Sequence, residues 1–291
     1  MDLMRYDDGT GEAKCGLLKA DRAHPLTDLV PDAPRDMVEV ITAWPDLRPR
    51  LAAADVSGPG LALSDLRLLR PVAAPQKVLA IGLNYADHVA EGAALGVKPP
   101  EHQEWFCKQP TALNDPNGDV EVPLVSDKLD YEVELVVVIG RGGRHIPAET
   151  VQEHVFGYSV GNDFSIRDWQ LRGSQWMLGK SFDTHAPWGP AIVTADELGD
   201  PHCLDIRCYV DGELRQSSNT KHLIFKVGDQ IAELSKVMTL SPGDLLFTGT
   251  PSGVGATFNP PKFLHAGQTV RSVIDGIGAI ENLITEERTG E

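Results

Sequence analysis

Leu129-Asp-Tyr-Glu-Val-Glu-Leu-Val-Val-Val-Ile139 sets two requirements against each other. Its β-branched, apolar richness predicts a buried strand over residues 129–139. Side chains at i and i+2 of a strand share a face, so Glu132 and Glu134 are aimed side by side into what should be core. One unpaired buried carboxylate is costly, and two repel each other. A hard divalent cation with oxygen ligands removes both penalties. An edge strand with a solvated polar face also accommodates a Glu-x-Glu pair, and the pair alone does not decide. Residues on either side favour the cation.

The chain of 291 residues is long enough for one large domain, or a small one plus a large one. Its formal charge of −16, from 26 basic and 42 acidic residues, argues against binding nucleic acid or an anionic membrane surface. An anionic substrate must then meet a local positive centre, either a metal or a few Lys and Arg. Cys15, Cys107, Cys203 and Cys208 form no C-x-x-C pair, which weakens zinc and redox readings and suits a reducing cytoplasm. Residues 1–10 are charged and lack an apolar core, so no signal peptide is expected. No apolar run approaches membrane-spanning length.

Residues 1–72 read as a small α+β module, with a hairpin of 1–6 and 13–18 around Asp8-Gly-Thr-Gly11. A helix is expected over 36–54, interrupted by Pro45 and Pro49. Arg70-Pro-Val-Ala-Ala-Pro75 reads as a linker to a second unit, 73–291. Strand signals dominate there, at 77–83, 105–108, 129–139, 156–160, 190–193, 205–210, 245–248 and 269–274. Asp211-Gly212 marks a hairpin. Helices are expected at 85–95, 148–154, 166–171 and 228–239, with a frayed tail over 285–291. Strands and helices do not alternate, which excludes a doubly wound α/β fold and leaves α+β, mainly β.

Four segments hold candidate chemistry. His88 and Glu91, three apart after a strand, share a helical face; the carboxylate can raise imidazole basicity and fix its tautomer, or the pair is an inconsequential surface contact. Asp163, at a strand-to-helix junction, is either a helix cap or a third carboxylate for Glu132 and Glu134. Three carboxylates suit Mg²⁺ or Mn²⁺ better than zinc, and Arg167 and Gln170 lie one turn further on. Lys180, between Trp176-Met-Leu178 and Ala186-Pro-Trp-Gly189, either pairs with a carboxylate or extends to solvent. The Gly-rich turn Thr248-Gly-Thr-Pro-Ser-Gly-Val-Gly255 is no P-loop; its N–H groups and Thr250 can hold a carboxylate, or it is a structural turn. His145, His154, His185 and His222 form no ligand spacing.

In order along the chain stand Ile81-Gly-Leu-Asn-Tyr-Ala-Asp-His88, Asp130-Tyr-Glu-Val-Glu134, Gly161-Asn-Asp163 with Arg167-Asp-Trp-Gln170, Gly179-Lys-Ser-Phe-Asp-Thr184, Gln216-Ser-Ser-Asn-Thr220 and Thr248–Gly255. Together they resemble the fumarylacetoacetate hydrolase family over about residues 73–285, and Ser217–Thr220 with Asn259-Pro-Pro-Lys-Phe-Leu264 most resembles the branch of fumarylacetoacetate hydrolase domain-containing protein 2 and its bacterial relatives. The resemblance implies a mixed β-sandwich roll, a homodimer, and Mg²⁺ or Mn²⁺ in each subunit. It implies that Glu132, Glu134 and Asp163 are metal ligands, that His88 and Glu91 activate water, and that Lys180 is catalytic. Arg167, Gln170, Thr250 and Tyr85 are then candidates to position substrate. A short connection between Gln170 and Gly179 departs from other members and leaves the pocket size open.

The function expected from this resemblance is hydrolysis of a C–C bond in a 2,4-dioxo acid, such as an acylpyruvate or a diketo sugar acid, with pyruvate leaving as its enolate. Oxaloacetate decarboxylation or tautomerisation, and dienedioate isomerisation, pass through a similar enolate. A non-catalytic metal- or ligand-binding protein is the third possibility; the His88–Glu91 pair argues against it, because binding needs no base.

Overall fold

The computed structural model describes residues 1–92 and 99–288. Its centre is the strand Val133–Ile139, every residue of which is buried. It pairs antiparallel with Val155–Asn162 on one side and with Leu245–Phe247 on the other. Alternation along this strand explains its unbroken apolar run. Leu135, Val137 and Ile139 face a core shared with Ile206, Val270 and Ile280 of a second, five-stranded sheet. Val136 and Val138 face the opposite way, into a core with Met37, Val40, Leu47 and Leu51. A strand covered on both faces has no place for a polar stripe.

The large sheet runs outward from this strand through Leu245–Phe247 to Val78–Gly82 and Glu104–Cys107, and on the other side through Val155–Asn162 to Ala186–Thr194. The fold is α+β, mainly β, with mixed sheets packed face to face.

The strand expected over 129–139 is broken. Leu129–Asp130 pairs separately with Ser165–Ile166, and the long strand starts at Val133. Side-chain amides cause the break: Glu132 N–H donates to Asn162 Oδ1 at 2.9 Å and Val133 N–H to Gln216 Oε1 at 3.0 Å, in place of ladder bonds. Both carboxylates are still carried to one side of the sheet end.

The N-terminal hairpin forms from Asp2–Asp7 and Ala13–Lys19. The helix expected over 36–54 divides into Met37–Thr42, capped by Asp36, and Trp44–Ala53, with Pro45 in its first turn. Asp2–Asp7 pairs edge-on with Ala186–Thr194, so the large sheet continues across the proposed division at residue 72. The helix expected over 85–95 is described as Ala86–Gly92; its remainder lies outside the described residues. Residues 285 and 286, expected in a frayed tail, instead end the strand Gly278–Glu286, which pairs with Val120–Val122.

Candidate active site

Three sheet ends converge. Antiparallel pairing of Val136 with Phe247 sets the chain beyond Phe247 beside Glu134, where Gly249 N–H donates to Glu134 Oε2 at 2.8 Å. Gly249 has φ +98°, and a Cβ there would fall 2.9 Å from Asn84 Cβ, so only glycine serves at this position. Asp163 follows the strand Val155–Asn162 directly, and its N–H donates to the Glu132 carbonyl at 2.8 Å. Carboxylate oxygens of Glu132, Glu134 and Asp163 thereby lie within 4.8 Å of one another, all three residues buried.

Cations surround them. Lys180 Nζ donates to Glu132 Oε2 at 2.6 Å and Asp163 Oδ2 at 2.7 Å. Arg167 Nη1 donates to Glu132 Oε1 at 2.6 Å and to Gln170 Oε1 at 2.9 Å, while its Nε donates to Asp130 Oδ2 at 2.8 Å. Lys108, fully buried, donates to Asp163 Oδ1 at 2.5 Å and also to the carbonyl of Lys180. Lys108 and Asp130 were not singled out for the site from sequence. Lys108 stands at the end of an ordinary strand signal, and Asp130 in a quoted motif without a role. Only tertiary pairing across 55 and 37 residues gives them partners.

The electrostatics divide the two glutamates. Burial disfavours ionising Glu132, but Lys180 and Arg167 outweigh it and hold its carboxyl down to about 2. Burial and the charges of Asp163 and Glu132 push Glu134 well above the ordinary range; one backbone N–H does not offset them. With every group ionised, four carboxylates (Asp130, Glu132, Glu134, Asp163) against three cations (Lys108, Arg167, Lys180) leave one negative charge uncompensated, which a proton on Glu134 relieves when no metal is bound. An all-oxygen donor set with such a deficit fits a hard divalent ion. With that ion the balance becomes one positive charge, which a ligand carboxylate neutralises.

His88 Nδ1 lies 3.3 Å from Glu91 Oε2. Glu91 in turn accepts from Gly253 N–H at 3.1 Å and Thr257 Oγ1 at 2.8 Å, and these bonds together with His88 outweigh burial and lower its pKa. The Gly-rich turn does hold carboxylates, and they are the protein's own: Gly249 N–H serves Glu134, Gly253 serves Glu91, and Gly255 and Ala256 serve Asp130.

His88, Glu132, Glu134, Arg167, Gln170, Lys180 and Thr250 line one cavity of about 240 Å³. Thr250 lines it with its hydroxyl engaged, donating to the Val133 carbonyl and accepting from Gln216 Nε2. Tyr85 is fully buried outside this lining, and its hydroxyl has no hydrogen-bond partner among the described residues. Arg167 Nη2 is likewise buried without a partner among the described residues, and Lys180 uses two of its three ammonium donors on carboxylates.

The sequence and fold that carry this arrangement match a known family. The profile of the fumarylacetoacetate (FAA) hydrolase C-terminal family covers residues 77–285, and the chain belongs to the fumarylacetoacetate hydrolase family. Among its relatives is the Rattus norvegicus protein named oxaloacetate tautomerase Fahd2a, mitochondrial, 44% identical over 264 residues, which are 89% of this chain and 82% of the relative. A fumarylacetoacetate hydrolase from Exiguobacterium antarcticum superposes with TM-score 0.84 at 35% identity, covering 99% of this chain and 100% of that one. Maleylpyruvate hydrolase from Sphingobium sp. SYK-6, in complex with manganese(II) ion and pyruvate, does so with TM-score 0.83 at 32% identity and the same coverage. The mitochondrial location in the rat protein's name departs from the cytoplasmic expectation for this chain. No helix among the described residues is long and apolar enough to cross a membrane.

Proposed function

We propose that the chain is a divalent-metal-dependent tautomerase of oxaloacetate-type 2-oxo dicarboxylates. The observation that carries this reading is the pair of spare cationic donors, Arg167 Nη2 and the third proton of Lys180, at residues lining the same small cavity as the acidic triad and His88. Spare buried donors suit a ligand with carboxylate and carbonyl oxygens. The names of relatives at this level of identity support the substrate class.

Glu132, Glu134 and Asp163 would hold Mg²⁺ or Mn²⁺, and when bound the ion supplies Lewis acidity toward the 2-oxo group and its neighbouring carboxylate. The chain's own residues do the rest. Arg167 and Lys180 bind the 2-oxo acid end and face the negative charge that develops on the C2 oxygen. Glu91 engages His88 Nδ1, which leaves Nε2 as the nitrogen for proton transfer. A proton leaves C3 to Nε2 as the C2–C3 double bond forms, and Nε2 then gives that proton to the C2 oxygen, so His88 is regenerated and the enol has the same atoms as the ketone. No water is consumed.

Hydrolysis of an acylpyruvate is the second reading, favoured by the same His88–Glu91 pair, which suits activation of water, and by the likeness to maleylpyruvate hydrolase. A homodimer in a reducing compartment, with residues 1–72 as an accessory module, completes the proposal. The test is to load the protein with Mg²⁺ or Mn²⁺ and follow oxaloacetate enol–ketone exchange alongside cleavage of an acylpyruvate panel. Acceleration of exchange without cleavage supports the tautomerase. Cleavage without exchange replaces it with the hydrolase, and neither activity refutes both.

A further inference from the structure

The cavity has two unlike ends. Its polar end is the carboxylate and cation cluster; its other end is lined by Ile81, Gly82, Phe106, Leu171, Trp176 and Val254. Phe106 separates the two. Lys180 Nζ lies 5.0 Å from the Phe106 ring centroid, and the Trp176 indole meets that ring edge-on at 5.7 Å. Phe106 thus lies in contact with both Lys180 and Trp176.

The sequence builds a seat for this indole. A Cβ at Gly82 would fall 2.1 Å from Trp176 Cζ3, so the absence of a side chain at 82 lets the ring lie against the strand end. The backbone that carries Trp176 is fixed on both sides. Before it, Arg172 stacks at 3.5 Å on Trp169, which packs edge-on against Phe182. After it, the helix Met177–Lys180 packs so tightly that a Cβ at Gly179 would fall 2.2 Å from the Gln170 nitrogen. The short connection between Gln170 and Gly179, which left the pocket size open in the sequence, thus delivers a large rigid ring to the apolar end.

We propose that Trp176 sets the upper chain length of the 2-oxo acid that the cavity accepts. The assignment rests on the proposed function, in which the 2-oxo acid end lies at Arg167 and Lys180. The remaining substituent then runs along Phe106 toward the indole. A cavity of about 240 Å³ is smaller than the roughly 300–1,000 Å³ of sites for drug-sized ligands, and suits a substrate of a few carbons. Removing the indole lengthens the cavity at the apolar end only, so Trp176 is a specificity-determining residue, apart from the groups that bind the ion or move the proton.

The experiment is calorimetric binding of pyruvate and of a long straight-chain acylpyruvate to Mn²⁺-loaded wild type, Trp176→Ala and Trp176→Phe, with melting curves to confirm folding. Pyruvate affinity should stay within about twofold, while Trp176→Ala should improve the long-to-short affinity ratio about tenfold or more, since each accommodated methylene in an apolar pocket is worth about that much. Trp176→Phe should fall between. Pyruvate binding with an unchanged ratio in both variants overturns the assignment and leaves the proposed function standing. Failure of pyruvate to bind wild type and variants alike removes the 2-oxo acid reading and this inference with it.

Discussion

Lys108 and Lys180 hold opposite oxygens of one carboxylate: Lys108 Nζ is 2.5 Å from Asp163 Oδ1, and Lys180 Nζ is 2.7 Å from Asp163 Oδ2. Asp163 is fully buried, so its oxygens are satisfied by protein donors rather than by solvent. Lys108→Met removes one partner and leaves the carboxylate half-compensated. The variant should lose about 3 kcal/mol of stability, as expected for breaking a buried pair. Mn²⁺ should restore more stability to the variant than to wild type, because the ion supplies the missing positive charge. Urea unfolding with and without Mn²⁺ measures both effects. Identical unfolding curves for the two proteins without metal would contradict the role given to Lys108.

Glu132 and Glu134 pull the metal-free protein's stability in opposite directions with pH. Glu132, held down to about 2 by Lys180 and Arg167 against burial, contributes fully above the ordinary carboxyl value of 4.5; that contribution fades as pH falls toward 2. Glu134, raised by burial and by Asp163 and Glu132, contributes fully below 4.5; its contribution fades as pH rises through its raised folded value. Glu134→Gln should therefore flatten the loss of stability above pH 4.5 and leave the acid limb unchanged. Mn²⁺ takes the place of the Glu134 proton, so its binding to wild type should release up to about one proton, and the variant should bind it far more weakly. Titration calorimetry in buffers of different ionisation enthalpy reads the proton. Equal Mn²⁺ affinity in wild type and variant would remove Glu134 from the site.

The sequence made the acidic pair legible because the conflict is local: two carboxylates at i and i+2 within an apolar run need no alignment to be noticed. The same local reading extended the strand through Tyr131 and Glu132. It could not see that Asn162 and Gln216 capture the Glu132 and Val133 amides from 30 and 83 residues away. Asp163 was readable only as one of two roles, and its N–H bond to the Glu132 carbonyl, across the end of the strand pair, is what turns it into the cluster. Lys108 gave no signal at all. A lysine closing a four-residue strand is usually solvated, and its burial comes from packing beneath Asp163. The Gly-rich turn reads from sequence either as a holder of carboxylates or as a structural turn, and the carboxylates it holds are side chains far along the chain from it.

Asp130 accepts from Arg167 Nε at 2.8 Å and from the N–H groups of Gly255 and Ala256 at 2.6 and 2.9 Å. It positions the guanidinium without lining the cavity. Asp130→Asn keeps the shape and removes the charge that orients Arg167. The expected result is a KM for the 2-oxo acid raised by about tenfold, from loss of one charge-assisted contact, with Mn²⁺ affinity within about twofold of wild type. Steady-state kinetics with a separate metal titration distinguishes this from damage to the metal site, which would weaken Mn²⁺ binding as well.

His88 should be needed for proton transfer and dispensable for metal binding. Its Nδ1 faces Glu91, and it shares the cavity with Glu132 and Glu134 while adding no atom to the acidic cluster. Beyond Glu91 the sequence reads Gly92-Ala-Ala-Leu-Gly96, a Gly- and Ala-rich stretch that would suit ordering over a bound ligand; residues 93–96 lie outside the described residues. His88→Ala should bind Mn²⁺ as wild type does and lose about a hundredfold or more in kcat, the usual loss when a general base is removed. Glu91→Gln should cost less, because it retains an acceptor that orients His88 Nδ1. Deuterium exchange at C3 of the 2-oxo acid locates the loss: it should fall in step with kcat in His88→Ala. An alanine variant that exchanges deuterium and turns over at wild-type rates would assign the proton to another group.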